Sequence, residues 1–124
     1  MSEIRRRRGM AARLAGRRGE VLCALLLMAK GYRILGFRLK TPLGEIDLLA
    51  QKQGVVAVVE VKLRTTLETA LDAVTHRQRE RLRRAARTLA ARRPALAHAT
   101  IRLDLIALAP GRWPRHIPDA WDGA

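Results

Sequence analysis

The chain has 124 residues, 48% hydrophobic and 29% charged, with Lys+Arg 25 against Asp+Glu 11, a formal net charge of +14. That size supports one domain with its own core. The single cysteine, Cys23, excludes a disulfide scaffold, and the apolar content argues against wholesale disorder. The longest apolar run, Val21 to Ala29, falls far short of the ~20 residues a membrane span needs. No small-residue cleavage site follows it, so a reduced, cytoplasmic protein with no membrane partner is expected.

The charge is concentrated in two places. Residues 1–18 carry seven Arg and Glu3, net +6, and residues 75–93 carry eight Arg and Glu80, net +7. Together they hold +13, leaving +1 for the rest. Such a balance favours a polyanionic partner, because each phosphate contact releases counterions.

In chain order, residues 1–15 read as a mobile basic arm, 16–108 as the folded domain and 109–124 as a Pro/Gly-punctuated tail. A helix is expected from about Gly16 to Lys30, with Gly31 at the position that closes a helix. Its apolar run from Val21 to Ala29 predicts burial on nearly every face. Tyr32 to Lys40 reads as a strand ended by the Thr41-Pro42-Leu43-Gly44 turn. Glu45–Gln51 and Val55–Lys62 read as a hairpin. Thr65 to Ala73 is ambiguous, a loop leading into the next helix being one reading; Thr75 to Arg93 is that helix, and its Thr75 and Gln78 stand at capping-box spacing. Thr100 to Leu108 is the last strand expected. The order α-β-β-β-α-β implies an α/β fold, a mixed sheet flanked by helices.

The hairpin carries the chemistry. A two-residue Gln53-Gly54 loop makes paired positions sum to 107 and sets Asp47 opposite Glu60 and Glu45 opposite Lys62. A four-residue loop makes the sum 105 and pairs Glu45 with Glu60. Either register puts Glu45, Asp47, Glu60 and Lys62 on one face and Ile46, Leu48 and Ala50 on the other. Three carboxylates with one ammonium repel unless a cation completes them, and hard oxygen ligands suit Mg²⁺ or Mn²⁺. The alternative is a solvated strand end with an ordinary Glu45–Lys62 ion pair.

The segments Gly44-Glu45-Ile46-Asp47-Leu48-Leu49-Ala50 and Val59-Glu60-Val61-Lys62-Leu63-Arg64 resemble the PD-(D/E)XK nuclease superfamily. More closely, the chain resembles the bacterial YraN family, predicted endonucleases similar to archaeal Holliday junction resolvases. Gly16-Arg17-Arg18-Gly19-Glu20, Gly31-Tyr32-Arg33-Ile34-Leu35, Ala73-Val74-Thr75 and Ile101-Arg102-Leu103-Asp104 extend the likeness over roughly residues 16 to 108. It implies a restriction-endonuclease-like fold and Mg²⁺- or Mn²⁺-dependent hydrolysis of phosphodiesters, in DNA rather than RNA. By analogy a homodimer is implied.

Carried onto this sequence, the resemblance makes Asp47 and Glu60 the metal carboxylates and Lys62 the residue that positions the attacking water. The resemblance also makes Glu20, from the first helix, a catalytic residue that holds metal or metal-bound water near the same site, with Glu45, Arg64 and Gln78 in auxiliary places. The chain departs from the family at Arg38, where Asn is common, at Gln78, where Lys is common, and at Leu67-Glu68, where a Phe-Gly pair is common.

Each of these residues has a plainer role open to it. Gln78 is also explained by the capping box, and Glu20 by a helix's preference for acids in its first turns. Arg102 and Asp104 read as a structural pair, Cys23 as core. Trp113 and Trp121 read as covering the sheet edge or core rather than stacking on bases. Arg5, Arg6, Arg7, Arg8, Arg17, Arg18, Arg77, Arg81 and Arg84 are the candidate backbone contacts. The alternative to a nuclease is a catalytically idle nucleic-acid-binding or scaffolding protein on the same fold.

Overall fold

A computed structural model describes residues 18–121. The expected basic arm with Arg5, Arg6, Arg7 and Arg8, and Arg17 after it, lie outside the described residues. Helix α1 (residues 18–29) ends where expected. The Gly31 N–H donates to the Met28 carbonyl and the Tyr32 N–H to the Leu27 carbonyl, the paired bonds of a Schellman cap. Gly31 takes φ 93°, which glycine alone adopts freely.

Three strands follow, β1 (Arg33–Thr41), β2 (Gly44–Lys52) and β3 (Val55–Leu63). Helices α2 (Leu67–Asp72) and α3 (His76–Ala91) and a 3₁₀ turn (Pro94–Leu96) then lead to β4 (Thr100–Leu108) and β5 (Arg115–Ile117). The sheet order is β1-β2-β3-β4-β5, antiparallel throughout except for the parallel β3–β4 pair. That pair needs a crossover, which α2 and α3 supply. The result is a mixed α/β sheet flanked by helices, in an order consistent with a restriction-endonuclease-like fold. Among the described residues no helix is long and apolar enough to cross a membrane.

The two faces have separate cores. Leu49, Val56, Val58, Val74, Leu82, Ala86 and Leu103 pack under α3, whereas Cys23, Leu27, Tyr32, Leu48, Ala57, Val59 and Ile106 pack under α1. The hairpin register sums to 107, from Lys52–Val55 to Leu48–Val59, so the two-residue loop is the one realised.

Four expectations need correction. Helix α1 is not buried all round: Cys23 and Leu27 are fully buried, while Val21, Leu22, Leu25 and Met28 face solvent. One helix laid on one sheet face buries one stripe, however apolar its other faces are. Ile46 does not side with Leu48 and Ala50 but joins the α3-side core, so the strand's alternation breaks at Asp47. Residues 67–72 form a helix rather than a loop, capped by the Thr66 side chain accepting from the Thr69 N–H. Finally, the tail adds the short edge strand β5, too brief for any periodicity to announce.

What holds β5 is a buried polar knot around Asp104, which is fully buried. Arg102 grips both carboxylate oxygens at 2.8 Å, the Asp119 N–H donates to Oδ1 at 3.0 Å, and His116 Nε2 lies 2.8 Å from Oδ2. Lys30 donates to His116 Nδ1 at 2.8 Å, which leaves Nε2–H as the donor to Asp104. Arg102 also bonds the Tyr32 hydroxyl. Burial pushes the Asp104 carboxyl up, but the Arg102 fork, His116 and the Asp119 N–H together hold it below its ordinary value.

Asp104→Asn keeps the shape and removes the charge from this knot, leaving Arg102 without its partner. It is expected to cost about 3 kcal/mol in urea unfolding at neutral pH. The native carboxyl titrates lower than the unfolded one, so its contribution is present above the unfolded value of 3.8 and lost in acid. The gap between wild type and variant should therefore close as pH falls. A loss under ~1 kcal/mol at pH 7 would contradict the knot's role.

Candidate active site

The site forms where β2 parts from β3. Their ladder ends at Leu48–Val59, although a continued register would set Ile46 opposite Val61. The Val61 N–H donates instead to Asp47 Oδ2 at 3.0 Å. An acidic side chain thus replaces a backbone acceptor, which holds Asp47 beside the Glu60 side chain.

Glu60 has little access to water, with its side chain 13% exposed. Burial first, then a hydrogen bond with Asp47 and the Asp47 charge, push its carboxyl up to about 8, against the opposing pull of Lys62. Lys62 Nζ lies 3.5 Å from Glu60 Oε1. The ion pair of Lys62 is therefore with Glu60 on its own strand, not the Glu45–Lys62 pair that register alone allowed. Cys23 packs behind these groups. Its thiol is pushed up to about 12 by burial, by Glu20 and by Asp47, so it is a core thiol and no nucleophile.

That shared influence on Cys23 brings Glu20 into the neighbourhood of Asp47, but Glu20 is engaged elsewhere. Arg38 Nε donates to its Oε1 at 2.6 Å. Arg38 stands in β1 at φ 47°, a left-handed conformation uncommon for a non-glycine residue. Among the described residues no three His, Cys, Asp or Glu side chains stand together as a ligand set. The structure joins Asp47, Glu60 and Lys62, and keeps Glu20 at the margin.

On the α3 side, Glu45, Glu60, Lys62, Gln78 and Arg81 line an open pocket of about 80 Å³. Gln78 sits there, yet its Oε1 accepts from the Thr75 N–H at 2.8 Å, completing the capping box. Arg81 reaches across the start of β2. A Cβ on Gly44 would lie 3.3 Å from Arg81 Nε, and φ 135° at that residue further favours glycine. Arg77, Arg81 and Arg84 are exposed at helical spacing along α3. Arg18 is exposed at the start of α1.

Arg64 is not in this pocket. It lines a neighbouring cleft of about 100 Å³ with Arg112, Trp113 and Arg115. Arg112 and Arg115 were not among the expected backbone contacts. The available signal was a tryptophan set between arginines in a Pro/Gly-rich tail.

Glu60 binds its proton more tightly folded than unfolded, so its contribution to stability is complete below the unfolded value of 4.5 and is lost as pH rises through 8. In chelator, wild type should lose melting temperature between pH 5 and 8. Glu60→Gln should flatten that slope and gain on the order of 2 kcal/mol at the alkaline end. Wild-type stability that holds level or rises over this range would contradict the crowding of Asp47 and Glu60.

Residues 19–108 match the model of the uncharacterised protein family UPF0102. A UPF0102 protein of Caulobacter vibrioides (strain NA1000 / CB15N) is 71% identical over 121 residues, covering 98% of this chain and 97% of the relative. One from Caulobacter sp. (strain K31) is 73% identical over 92% of this chain and 82% of its own length. One from Parvibaculum lavamentivorans is 49% identical, covering 91% and 85%. These likenesses span the helix, the hairpin and the crossover that build the site; the chain belongs to the UPF0102 family.

Proposed function

We propose that the protein is a metal-dependent endonuclease of the PD-(D/E)XK superfamily, hydrolysing phosphodiester bonds in DNA. The observation that carries this reading is the pair Asp47 and Glu60, two carboxylates forced together in a poorly hydrated place with Lys62 3.5 Å from Glu60. Like charges so placed weaken a fold, and a binding module gains nothing from them.

The donor set fits a hard divalent cation. Mg²⁺ is commonly held by one or two carboxylates, with water and substrate phosphate filling the other positions, so two protein ligands suffice. Asp47 and Glu60 would hold Mg²⁺ or Mn²⁺, and the relief of their repulsion supports that assignment. When bound, such an ion polarises a phosphoryl oxygen and lowers the pKa of water.

The chain's own residues do the rest. The Val61 N–H fixes the Asp47 carboxylate through Oδ2, so its orientation is set before substrate arrives. Lys62 directs its ammonium toward Glu60 from the pocket where Arg81 and Gln78 also stand, a place to orient water and oppose charge at the scissile phosphate. Arg77, Arg81 and Arg84 hold the sugar-phosphate backbone without reading bases.

A second reading, an idle nucleic-acid-binding protein on the same fold, draws on one observation. The Glu20 carboxylate is taken up by Arg38 rather than turned to Asp47 and Glu60.

The test is cleavage of single-stranded, duplex, flapped and four-way DNA with Mg²⁺ or Mn²⁺, with RNA in parallel. Wild type should cut DNA in a cation-dependent way, and Asp47→Ala and Lys62→Ala should each lose about 100-fold or more. Equal cutting by wild type and both variants would refute the site. Binding without cutting under every condition would favour the idle reading.

A further inference from the structure

The two tryptophans have opposite surroundings. Trp121 is tucked in: its Nε1–H donates to the Leu71 carbonyl at 3.2 Å, and the Arg79 guanidinium lies 5.4 Å from its ring. Trp113 is 87% exposed, the most exposed large hydrophobic side chain in the described chain. The expectation that the tryptophans cover the sheet edge or core holds for Trp121, which packs against the α3-side core, and fails for Trp113.

Its position is held at both ends. The turn before it is closed by the Arg112 N–H donating to the Ala109 carbonyl, with Gly111 at φ 71°. After it, Arg115 enters β5 opposite Ala107. Trp113 lines the cleft of about 100 Å³ together with Arg64, Arg112 and Arg115, and among the described residues no carboxylate lines it. An exposed indole on a cleft shared with three arginines, one of which (Arg64) also donates through Nη1 to the Leu63 carbonyl at 2.8 Å, fits a stacked base with its flanking phosphates.

The cleft and the carboxylate site share one side of the sheet. Lys62 pairs with Ala107 across β3–β4, and Ala107 with Arg115 across β4–β5. Residues side by side in this way project from the same face. Two strand spacings, about 10 Å, separate Lys62 from Arg115.

We propose that this cleft is a subsite for an unpaired nucleotide, in which Trp113 stacks on the base while Arg64, Arg112 and Arg115 hold the adjoining phosphates. Within a duplex the faces of paired bases are already stacked, so Trp113 engages a base only where the strand is single or frayed. The preferred nucleic acid is therefore a single-stranded tail or gap entering beside Lys62. This deepens the nuclease reading, on which it rests for the identity of the neighbouring site, but binding can be measured without cleavage.

The test is binding of the full chain in chelator. A short labelled oligothymidylate, the same strand with abasic sites, a blunt duplex and anionic phospholipid vesicles are compared, with tryptophan emission recorded alongside. Trp113→Ala should weaken oligothymidylate binding about tenfold. The abasic strand should show a similar deficit with wild type, and the blunt duplex should be indifferent to the substitution. Quenching by oligothymidylate should vanish in Trp113→Phe, which retains Trp121. Arg112→Ala should lower the salt slope by about one.

Unchanged affinity of Trp113→Ala for oligothymidylate would overturn the subsite. So would a Trp113 emission shift with vesicles but not with oligonucleotide. Failure of the nuclease reading looks different: no cation supports cutting, while Trp113-dependent binding persists.

Discussion

The architecture of the site turns on the point where β2 lets go of β3. Up to Leu48–Val59 the two strands form an ordinary antiparallel ladder, and β3 is fully occupied on its other edge by β4. Beyond that point β2 remains paired with β1 while β3 remains paired with β4. The sheet therefore opens between them without losing either strand. The backbone N–H of Val61 exposed by the opening must find an acceptor, and the Asp47 carboxylate provides it. That single bond draws one acid into the sheet beside another, and the raised pKa of Glu60 follows from its burial first and then from the neighbouring Asp47.

Two opposite treatments of carboxylates coexist in this small domain, one fully buried and one half-buried. Asp104 is wrapped by a guanidinium fork, a histidine and a backbone N–H, so its charge is stabilised and it ties β5 to β4. Among the described residues, Asp47 and Glu60 have one backbone donor and one lysine between them. The first arrangement is complete without a ligand. The second is short of positive charge, and that deficit is what a divalent cation or a proton would fill. The difference in partners, rather than in residue type, separates a structural carboxylate from a candidate reactive one.

Much of this was legible in the sequence. The alternation of Glu45 to Gln51 against Val55 to Lys62 marks the hairpin and its two possible registers, of which the one set by a two-residue Gln53-Gly54 loop is realised. Thr75 and Gln78 announce the start of α3, and Gly31 announces the end of α1. What the sequence withheld has physical causes. Strand parity assumes an unbroken ladder, so the rotation at Asp47 that sends Ile46 to the α3 side is invisible to it. An apolar run does not say how many faces have partners, so α1 looks more buried than it is. The Glu20–Arg38 pair depends on a left-handed arginine in the middle of a strand, which no local pattern marks. The cleft around Trp113 depends on β5, three residues held by a distant Asp104.

The claim on which the rest depends is that Asp47 and Glu60 are crowded, under-compensated acids awaiting a cation. A carbon-detected NMR titration of the Glu60 carboxyl, run in chelator and again with Mg²⁺, measures this directly. The account predicts a midpoint near 8 in chelator, pulled down by more than about one unit when Mg²⁺ is present. A midpoint at the ordinary glutamate value, unmoved by Mg²⁺, would contradict it.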